Sequence, residues 1–369
     1  MFHLLPMVKK EQLILFIMKF VYLSYVRMYE QISKRKNMFT KTIKTAAAAL
    51  LLVGSVAVAK DGIYFNAVKG DAEHAYNTMI NEKIEEIGFV LSDPHERIND
   101  AYATKYSKEP GYNTTLDNLG FFSVANDEAI RPLLLKDPRL GGFSPFNLHI
   151  YKYANEDVTR VGHVNPEVML DIVGIEDKSI RADFIASFTE LDALVDKEIG
   201  GKREVVTFEK LPATKLMEFE MVFERPEGVT KDDILDGEFE GLDTWMADEF
   251  EAAFEENKYI IAGYKNFAEA YRENELEFEK YDFYSTYSLC HFYFSYGIFN
   301  HGSAQAGAFA PCSMYMYVEK GTNVLKIGMP YLENWISVAG ITDQKQIDSI
   351  RKLDKEIIAI MESLGAKLK

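Results

Sequence analysis

Cysteine is scarce in this sequence, since Cys290 and Cys312 are the only two in 369 residues. They do not form a C-x-x-C pair, which weakens the argument for a metal or redox centre. Stability must then come from hydrophobic cores. The composition, with 47% hydrophobic and 13% aromatic residues, is sufficient for two domains with cores of their own.

Common catalytic and nucleotide-binding motifs are missing as well. The sequence contains no G-x-S-x-G, no P-loop and no dinucleotide-binding glycine pattern, and its seven histidines form no H-x-x-H or H-E-x-x-H array. His149 and His163 lie on the two arms of a predicted hairpin and could face each other. A surface or core role is favoured for both over metal ligation. A non-enzymatic role is therefore favoured over an enzymatic one, and no cofactor is predicted.

Basic residues are outnumbered, because 41 Lys and Arg stand against 57 Asp and Glu. Nine of these basic and two of these acidic residues lie in residues 1–59, so the rest of the chain has 32 basic and 55 acidic residues, a net charge of −23. Phosphate backbones and anionic lipid surfaces repel such a body, which argues against nucleic-acid binding. The acids alternate with apolar residues, as in Glu238-Phe239-Glu240, so disorder is not expected.

The apolar run near the N-terminus is too short to span a bilayer comfortably, and it fits an export signal instead. Met38 begins a short basic segment, residues 46–56 are small and apolar, and Ala57-Val58-Ala59 is an A-x-A cleavage signal. We expect a signal peptide at residues 38–59, cleavage after Ala59, and a periplasmic protein without a stable membrane span. Residues 1–37 are interpreted as translation upstream of a misassigned start. The alternative is a membrane anchor at residues 12–26.

A long internal repeat organises the remaining chain. Pro145 and Pro311 are 166 residues apart, and this offset aligns residues 141–193 with the second copy without a gap. Similarity at one long fixed offset indicates a folding unit that is used twice. We therefore predict two domains, residues 60–200 and residues 201–369, joined at Gly200-Gly201.

Each copy has the same predicted order of elements, β-α-β-(α)-β-α-β-β-α, with a hairpin near its end. Mixed order of this kind favours an α+β fold over a doubly wound α/β fold. The prediction is two similar two-layer sandwich domains in tandem, each a mixed or antiparallel sheet covered by helices. Residues 283–299 are predicted to form one long aromatic strand, and residues 179–199 one terminal helix.

A family resemblance rests on a recurring set of turns. The first copy has a helix followed by Asp137-Pro138-Arg139-Leu140-Gly141. The second copy has Pro311-Cys312 at the start of a strand, Tyr317-Val318-Glu319 before a glycine turn, and Gly328-Met329-Pro330 on the return strand. This pattern resembles the domain-of-unknown-function family 302 (DUF302), as a tandem pair over most of the mature chain.

The resemblance implies a compact two-layer α+β domain that often self-associates and has no agreed activity, so a homodimer is one assembly to consider. The chain departs from the family pattern in two places. Phe146 stands where the second copy has Cys312, and the Asp-Pro turn is missing from the second copy. Any binding role shared by the first copy is therefore open.

Three interpretations of Cys290 and Cys312 compete. They are two buried free thiols that act as small hydrophobic residues, a structural disulfide in an oxidising compartment, or a soft-metal or redox site completed by His291 or a nearby methionine. Period-two alternation places Cys312 and Met314 on one face of their strand. The sulfur atoms could meet if the two strands are neighbours.

An aromatic stripe, Tyr284, Tyr287, His291, Tyr293 and Tyr296, fits either a ligand pocket or the packing surface between the two units. The leading hypothesis is a non-enzymatic module that binds a small molecule or an envelope protein. The alternative is a thiol-redox, sulfur-handling or soft-metal protein that uses Cys312 and Cys290. The predicted binding residues lie around the start of the Pro311-Cys312 strand: Cys290, His291, Pro311, Cys312, Met314 and Tyr317.

Overall fold

The computed structural model describes residues 59–110, 112–224, 227–228, 230, 233, 241–242 and 245–369, without the side chain of position 247. The expected upstream extension and the signal peptide as far as Val58 lie outside the described residues, as does most of the acidic run that begins at Asp232. No helix in the described part of the chain combines the length and the apolar character that a bilayer crossing requires.

The first half, residues 60–208, forms a seven-stranded antiparallel sheet with its helices. Short 3₁₀ helices at Ile84–Ile87 and Pro138–Phe143 accompany the regular elements. In chain order these elements are β1 (Lys60–Lys69), α1 (Glu73–Glu82), β2 (Val90–His95), α2 (Ile98–Tyr106), β3 (Leu116–Ala125), α3 (Asp127–Lys136), β4 (Phe146–Asn147), β5 (His149–Tyr153), β6 (Val158–Val164), α4 (Pro166–Val173), α5 (Lys178–Ala186), α6 (Thr189–Glu198) and β7 (Lys202–Phe208).

The second half, residues 216–369, forms a six-stranded antiparallel sheet. A π-helical segment at Trp245–Glu251 and a 3₁₀ helix at Ala304–Phe309 belong to it. Its regular elements are β8 (Leu216–Val222), α7 (Ala252–Glu256), β9 (Tyr259–Asn266), α8 (Phe267–Glu273), β10 (Tyr281–His291), α9 (Phe292–Phe299), β11 (Cys312–Glu319), β12 (Val324–Pro330), α10 (Glu333–Val338), α11 (Gln344–Ser363) and β13 (Lys367–Leu368).

The two sheets have matching strand orders. The first runs β2-β3-β5-β6-β1-β7, with β4 beside β3, and the second runs β9-β10-β11-β12-β8-β13. All of their strand pairs are antiparallel. Helices cover both sheets, so the predicted α+β class, with two antiparallel sheets and their helices, is confirmed. The strand β7 follows the expected boundary at Gly200-Gly201 and yet pairs with β1 of the first sheet.

Local chemistry repeats at corresponding positions. Asp177 accepts hydrogen bonds from two backbone amides at the start of α5, and Asp343 accepts one at the start of α11. Such caps satisfy amides that have no partner within the helix. Gly174 and Gly340, also 166 residues apart, both have positive φ (73° and 67°), a conformation that suits glycine after a helix.

Two sequence expectations about elements are wrong. The stretch 283–299 is not one strand, because it divides into β10 and α9 at His291, whose Nδ1 accepts a hydrogen bond from Phe294 N and caps the new helix. The terminal helix 179–199 divides into α5 and α6, where the Ser187 hydroxyl donates to Phe184 O and Phe188 packs on Phe146. Side-chain packing decides both breaks.

Each half inserts its second 3₁₀ helix against the sheet of the other. The first of these helices begins at Pro138, whose carbonyl accepts from the Tyr284 hydroxyl on β10 at 2.5 Å. The other begins at Ala304, whose carbonyl lies 2.9 Å from His149 Nε2 on β5. Residues 59–369 form one compact unit, and this reciprocal docking provides many of the contacts between its halves.

Candidate functional site

The segments around the two prolines meet at the contact between the halves. The Ser144-Pro145 and Ala310-Pro311 peptide bonds are both cis. The Ser313 hydroxyl donates to Pro145 O at 3.2 Å, and Asn147 Nδ2 donates to Gly307 O at 2.6 Å. The rings of Phe143 and Phe309 approach to 6.5 Å between centroids. The strand starts at β4 and β11 are therefore held against each other.

A small cavity, here called the junction cavity, remains between these segments. It has a volume of about 20 Å³, which is room for one water molecule. Residues at corresponding positions of the two halves contribute most of its lining: Gly142, Phe143, Pro145, Phe146, Asn147, Ala308, Phe309, Pro311, Cys312 and Ser313, with Pro330 and Trp335.

A second cavity of about 20 Å³, here called the thiol cavity, adjoins the first at Pro311, Cys312 and Trp335. Its remaining lining is mostly apolar and comes from β9, β10, α9 and α11 as well as from β12: Tyr259, Leu289, Cys290, His291, Phe294, Ser295, Phe299, Ala310, Met329, Leu332, Leu353 and Ile357. Neither cavity admits more than a molecule of about the size of water in this conformation.

Both cysteines line the thiol cavity as free thiols. Burial raises the pKa of Cys290 to about 11 and raises that of Cys312 still further, to which the neighbouring Cys290 also contributes. Both are therefore protonated at neutral pH and weak as nucleophiles or metal ligands. In the sheet register Cys312 lies opposite Leu289, while Cys290 pairs with Ile260 on the other side. The two strands are neighbours, but the register does not set the cysteines opposite each other.

His291 is engaged in structure rather than in chemistry. Its Nδ1 caps α9, and its ring lies edge-on to Tyr259 with centroids 5.1 Å apart. Burial lowers its pKa, so the imidazole is neutral at neutral pH. Within the described part of the chain, no group of three His, Cys, Asp or Glu side chains is placed to hold a metal ion.

Two polar groups beside the thiol cavity were not singled out from the sequence. The hydroxyl of Tyr259 is buried and has no hydrogen-bond partner. Asp354 on α11 is buried as well, and it accepts from Leu332 N at 2.7 Å and Glu333 N at 3.0 Å. Burial raises the pKa of Asp354 to about 7 despite these two donors. Neither residue belongs to a motif, so only the packing of α11 against β9 and β11 reveals them.

The remaining predicted site residues lie elsewhere. Met314 and Tyr317 line neither cavity: Met314 is fully buried opposite Tyr287, and Tyr317 stacks on Tyr284. The structure thus gathers Cys290, His291, Pro311 and Cys312 and leaves these two in the sheet core.

The aromatic stripe does not form one pocket. Tyr284 and Tyr287 are buried in β10, whereas Tyr293 and Tyr296 lie on α9, and Tyr293 is 59% exposed.

His149 and His163 do not face each other, contrary to one expectation. His149 lies opposite Gly162 in the β5–β6 register, so His163 points to the other face of the sheet. His163 Nε2 lies 3.0 Å from Asp192 Oδ1, and both ring nitrogens of His149 face backbone carbonyls.

A wider depression of about 330 Å³ lies on the surface between α8 and β10, here called the acidic depression. Three glutamates contribute to it, and no sequence motif indicated it. Its lining consists of Ala268, Arg272, Glu275, Leu276, Glu277, Phe278, Glu279 and Tyr281. Its size is within the range of ligand pockets, although it is separate from the two cysteines.

Comparisons with known proteins give little to add to this geometry. No family model matches the sequence, and no curated protein matches it. Among solved structures, the crystal structure of an uncharacterized conserved protein DUF302 from Bacillus stearothermophilus is similar at 16% sequence identity. The match covers 39% of this chain and 95% of that chain, with a TM-score of 0.28. We base no conclusion on a likeness of that size, and the tandem DUF302 identification stays a prediction.

Proposed function

We propose that the chain is an exported, periplasmic protein whose two halves are tandem copies, and that it acts as a non-enzymatic binding or interaction module. The matching strand orders and the elements at a common offset of 166 residues support the tandem arrangement. The start of β1 at Lys60, directly after the expected cleavage position, supports export.

The observation that carries the binding proposal is the hydroxyl of Tyr259. A buried hydroxyl without a partner costs about 1–3 kcal/mol, and native structures rarely retain one without an occupant nearby. Tyr259 lines the thiol cavity, where the available space accepts one very small group. We therefore propose that this cavity accepts a water molecule or the acceptor group of a small ligand, and that larger ligands require the halves to move.

Trp335 provides a reporter, because it lines both cavities and the chain has only one other tryptophan. In a Trp245→Phe background, dimethyl sulfoxide or acetone should change Trp335 emission in a saturable way. Adding Tyr259→Phe should weaken this binding about fivefold, which corresponds to about 1 kcal/mol for one neutral hydrogen bond.

Cys312→Phe is the matched blocking variant, since phenylalanine is the residue that stands at position 146 of the other half. It should abolish the Trp335 response. A response that is not saturable, or that persists unchanged in both variants, would contradict binding at this cavity. Stabilisation by a probe without any Trp335 response would place binding elsewhere, with the acidic depression as the first candidate.

The alternative function, thiol-redox or sulfur handling, rests on the fact that both thiols line one cavity. The raised pKa values oppose it, because the thiolate is the reactive form. In native protein at pH 7, neither thiol should react with a disulfide reagent within minutes, while both should react after denaturation. One fast native thiol that disappears in Cys312→Ser would favour the alternative, and a denatured protein without free thiols would indicate a disulfide.

A further inference from the structure

His149 is a fully buried histidine at the contact between the halves. Its Nδ1 lies 2.9 Å from Gly120 O on β3 of its own half, and its Nε2 lies 2.9 Å from Ala304 O on the inserted 3₁₀ helix of the other half. The ring stacks on Phe121 and Tyr151. One imidazole therefore joins the first sheet to the second half.

The proton count of this arrangement is unbalanced. A neutral imidazole has one N–H and one lone pair, and only the imidazolium has two donors. Because both partners are carbonyl oxygens, the neutral ring can make just one of the two hydrogen bonds. Protonation would complete the second, but it would place a charge in an apolar setting. Burial is the larger effect and lowers the pKa of His149 to about 4, against the opposing influence of the two carbonyls.

The surroundings supply no compensating carboxylate. The titratable groups next to the ring are Tyr151, stacked on it, and Tyr153, whose hydroxyl accepts from Ala304 N. Burial raises the pKa of both tyrosines, so both are neutral in acid. Arg160 lies over the Tyr151 ring and is the nearest charge beyond it. The partners from β1 and β3 are Phe65 and Phe121, and the inserted helix approaches with Gly307.

We propose that His149 is an acid-sensitive latch, so that proton uptake by its imidazole releases the inserted 3₁₀ helix Ala304–Phe309 from the first sheet and opens the contact between the halves. The folded, closed state resists the proton, whereas an opened state exposes the ring to water and accepts it. The gap between the ordinary histidine value of about 6.5 and the value in the closed state therefore favours opening as the pH falls.

The sign and the size of the effect follow from linkage. A histidine whose folded pKa is depressed contributes stability that is complete above the unfolded value, is lost as the pH falls, and changes no further below the folded value. Between pH 6.5 and pH 4 the ratio of closed to open protein should fall by up to about 300-fold on account of this one group.

The test compares urea unfolding and amide exchange of the full mature chain at pH 7.5, 6 and 5. In wild type, protection of the amides in the inserted helix, corrected for the intrinsic exchange rate, should decrease on acidification. In His149→Gln, which cannot take up a proton, this decrease should be absent. His149→Phe retains a flat ring without a titrating group and serves if the glutamine variant folds poorly.

His74 on α1 is exposed and provides the control, because His74→Gln should leave the acid response of the inserted helix unchanged. The same decrease in His149→Gln, His149→Phe and wild type would overturn the proposal. So would loss of protection spread evenly over both sheets, because that pattern indicates global acid unfolding rather than release of one contact.

Discussion

At the scale of single residues, the centre of the molecule depends on close approaches that only small side chains permit. Gly141 and Gly307 occupy corresponding positions in the two inserted 3₁₀ helices. A methyl group on Gly307 would lie 2.6 Å from the His149 ring, and one on Gly141 would overlap the Tyr284 hydroxyl. These two glycines set how closely each half approaches the other.

Gly307→Ala should therefore destabilise the protein by about 1–3 kcal/mol, the usual range for overpacking a dense core. Gly297→Ala is the matched control, because its added methyl group meets nothing within 4 Å. As Gly297 lies within α9, alanine there should be neutral or stabilising by up to about 1 kcal/mol. Urea unfolding of both variants measures the difference, and equal stabilities would contradict the packing described for Gly307.

Asp354 should show the opposite pH response to His149. Its folded pKa is raised to about 7, so the folded state binds the proton that the unfolded chain releases near pH 4. Its stabilising contribution is then complete below about pH 4 and is lost as the pH rises to about 7. Asp354→Asn should remove this downward slope from plots of unfolding free energy against pH.

The two groups partly cancel in wild type over the same interval, and each variant should reveal the slope of the other. His95 acts in the same direction as Asp354, since its hydrogen bond with Asp93 raises its pKa. A wild-type profile that Asp354→Asn leaves unchanged would show that this carboxyl is not protonated in the folded state.

At the scale of elements, α11 has the strongest local specification. It is 20 residues long and is capped by Asp343, and its buried positions recur at helical spacing: Gln346, Ile350, Leu353, Asp354, Ile357, Ile360 and Met361. The corresponding stretch of the first half divides into α5 and α6, where Phe188 occupies the position of Asp354 and packs on Phe146.

Asp343→Ala should cost about 0.5–2 kcal/mol, because the carboxylate accepts a hydrogen bond from Gln346 N at 3.0 Å. Asp343→Asn keeps an acceptor at the cap and should lose much less. Thermal unfolding followed by circular dichroism compares the two. A loss that is equal in both variants would attribute the effect to the charge of Asp343 rather than to the cap.

At the scale of the whole molecule, the two halves exchange equivalent contacts, as the pairs Asn147–Gly307 and Tyr284–Pro138 illustrate. One sheet completes its core with a segment of the other half. We therefore expect the halves to unfold together rather than as separate domains, apart from the local opening proposed at His149.

Export makes a prediction at this scale too. The mature protein should begin at Lys60, the first residue of β1, where its side chain pairs with Asp171 at 3.3 Å. Intact-mass measurement of protein from the periplasmic fraction checks this. A mass that includes residues upstream of Lys60 would contradict cleavage after Ala59, and light scattering of the same sample tests the expected homodimer.

Much of the fold could be read from the sequence, because apolar periodicity, caps and turn glycines act over a few residues. The hairpin β11–β12, the Asp343 cap and the α+β class are of this kind. The end of β10 at His291 was missed because a continuous aromatic run such as 283–299 has no periodicity to separate a strand from a buried helix. The placement of Met314 and Tyr317 in the core was missed because alternation does not show what covers each face of a sheet.

The sequence by itself determined the elements, the long repeat, the acidic surface and the cysteine-bearing strands that reach the junction. Only the tertiary structure decided which groups meet there: Tyr259 without a partner, Asp354 beside the thiol cavity, and His149 between two carbonyls of different halves. The physical reason is that protonation and hydrogen bonding depend on burial and on neighbours more than a hundred residues away in the chain, and local patterns carry no record of either.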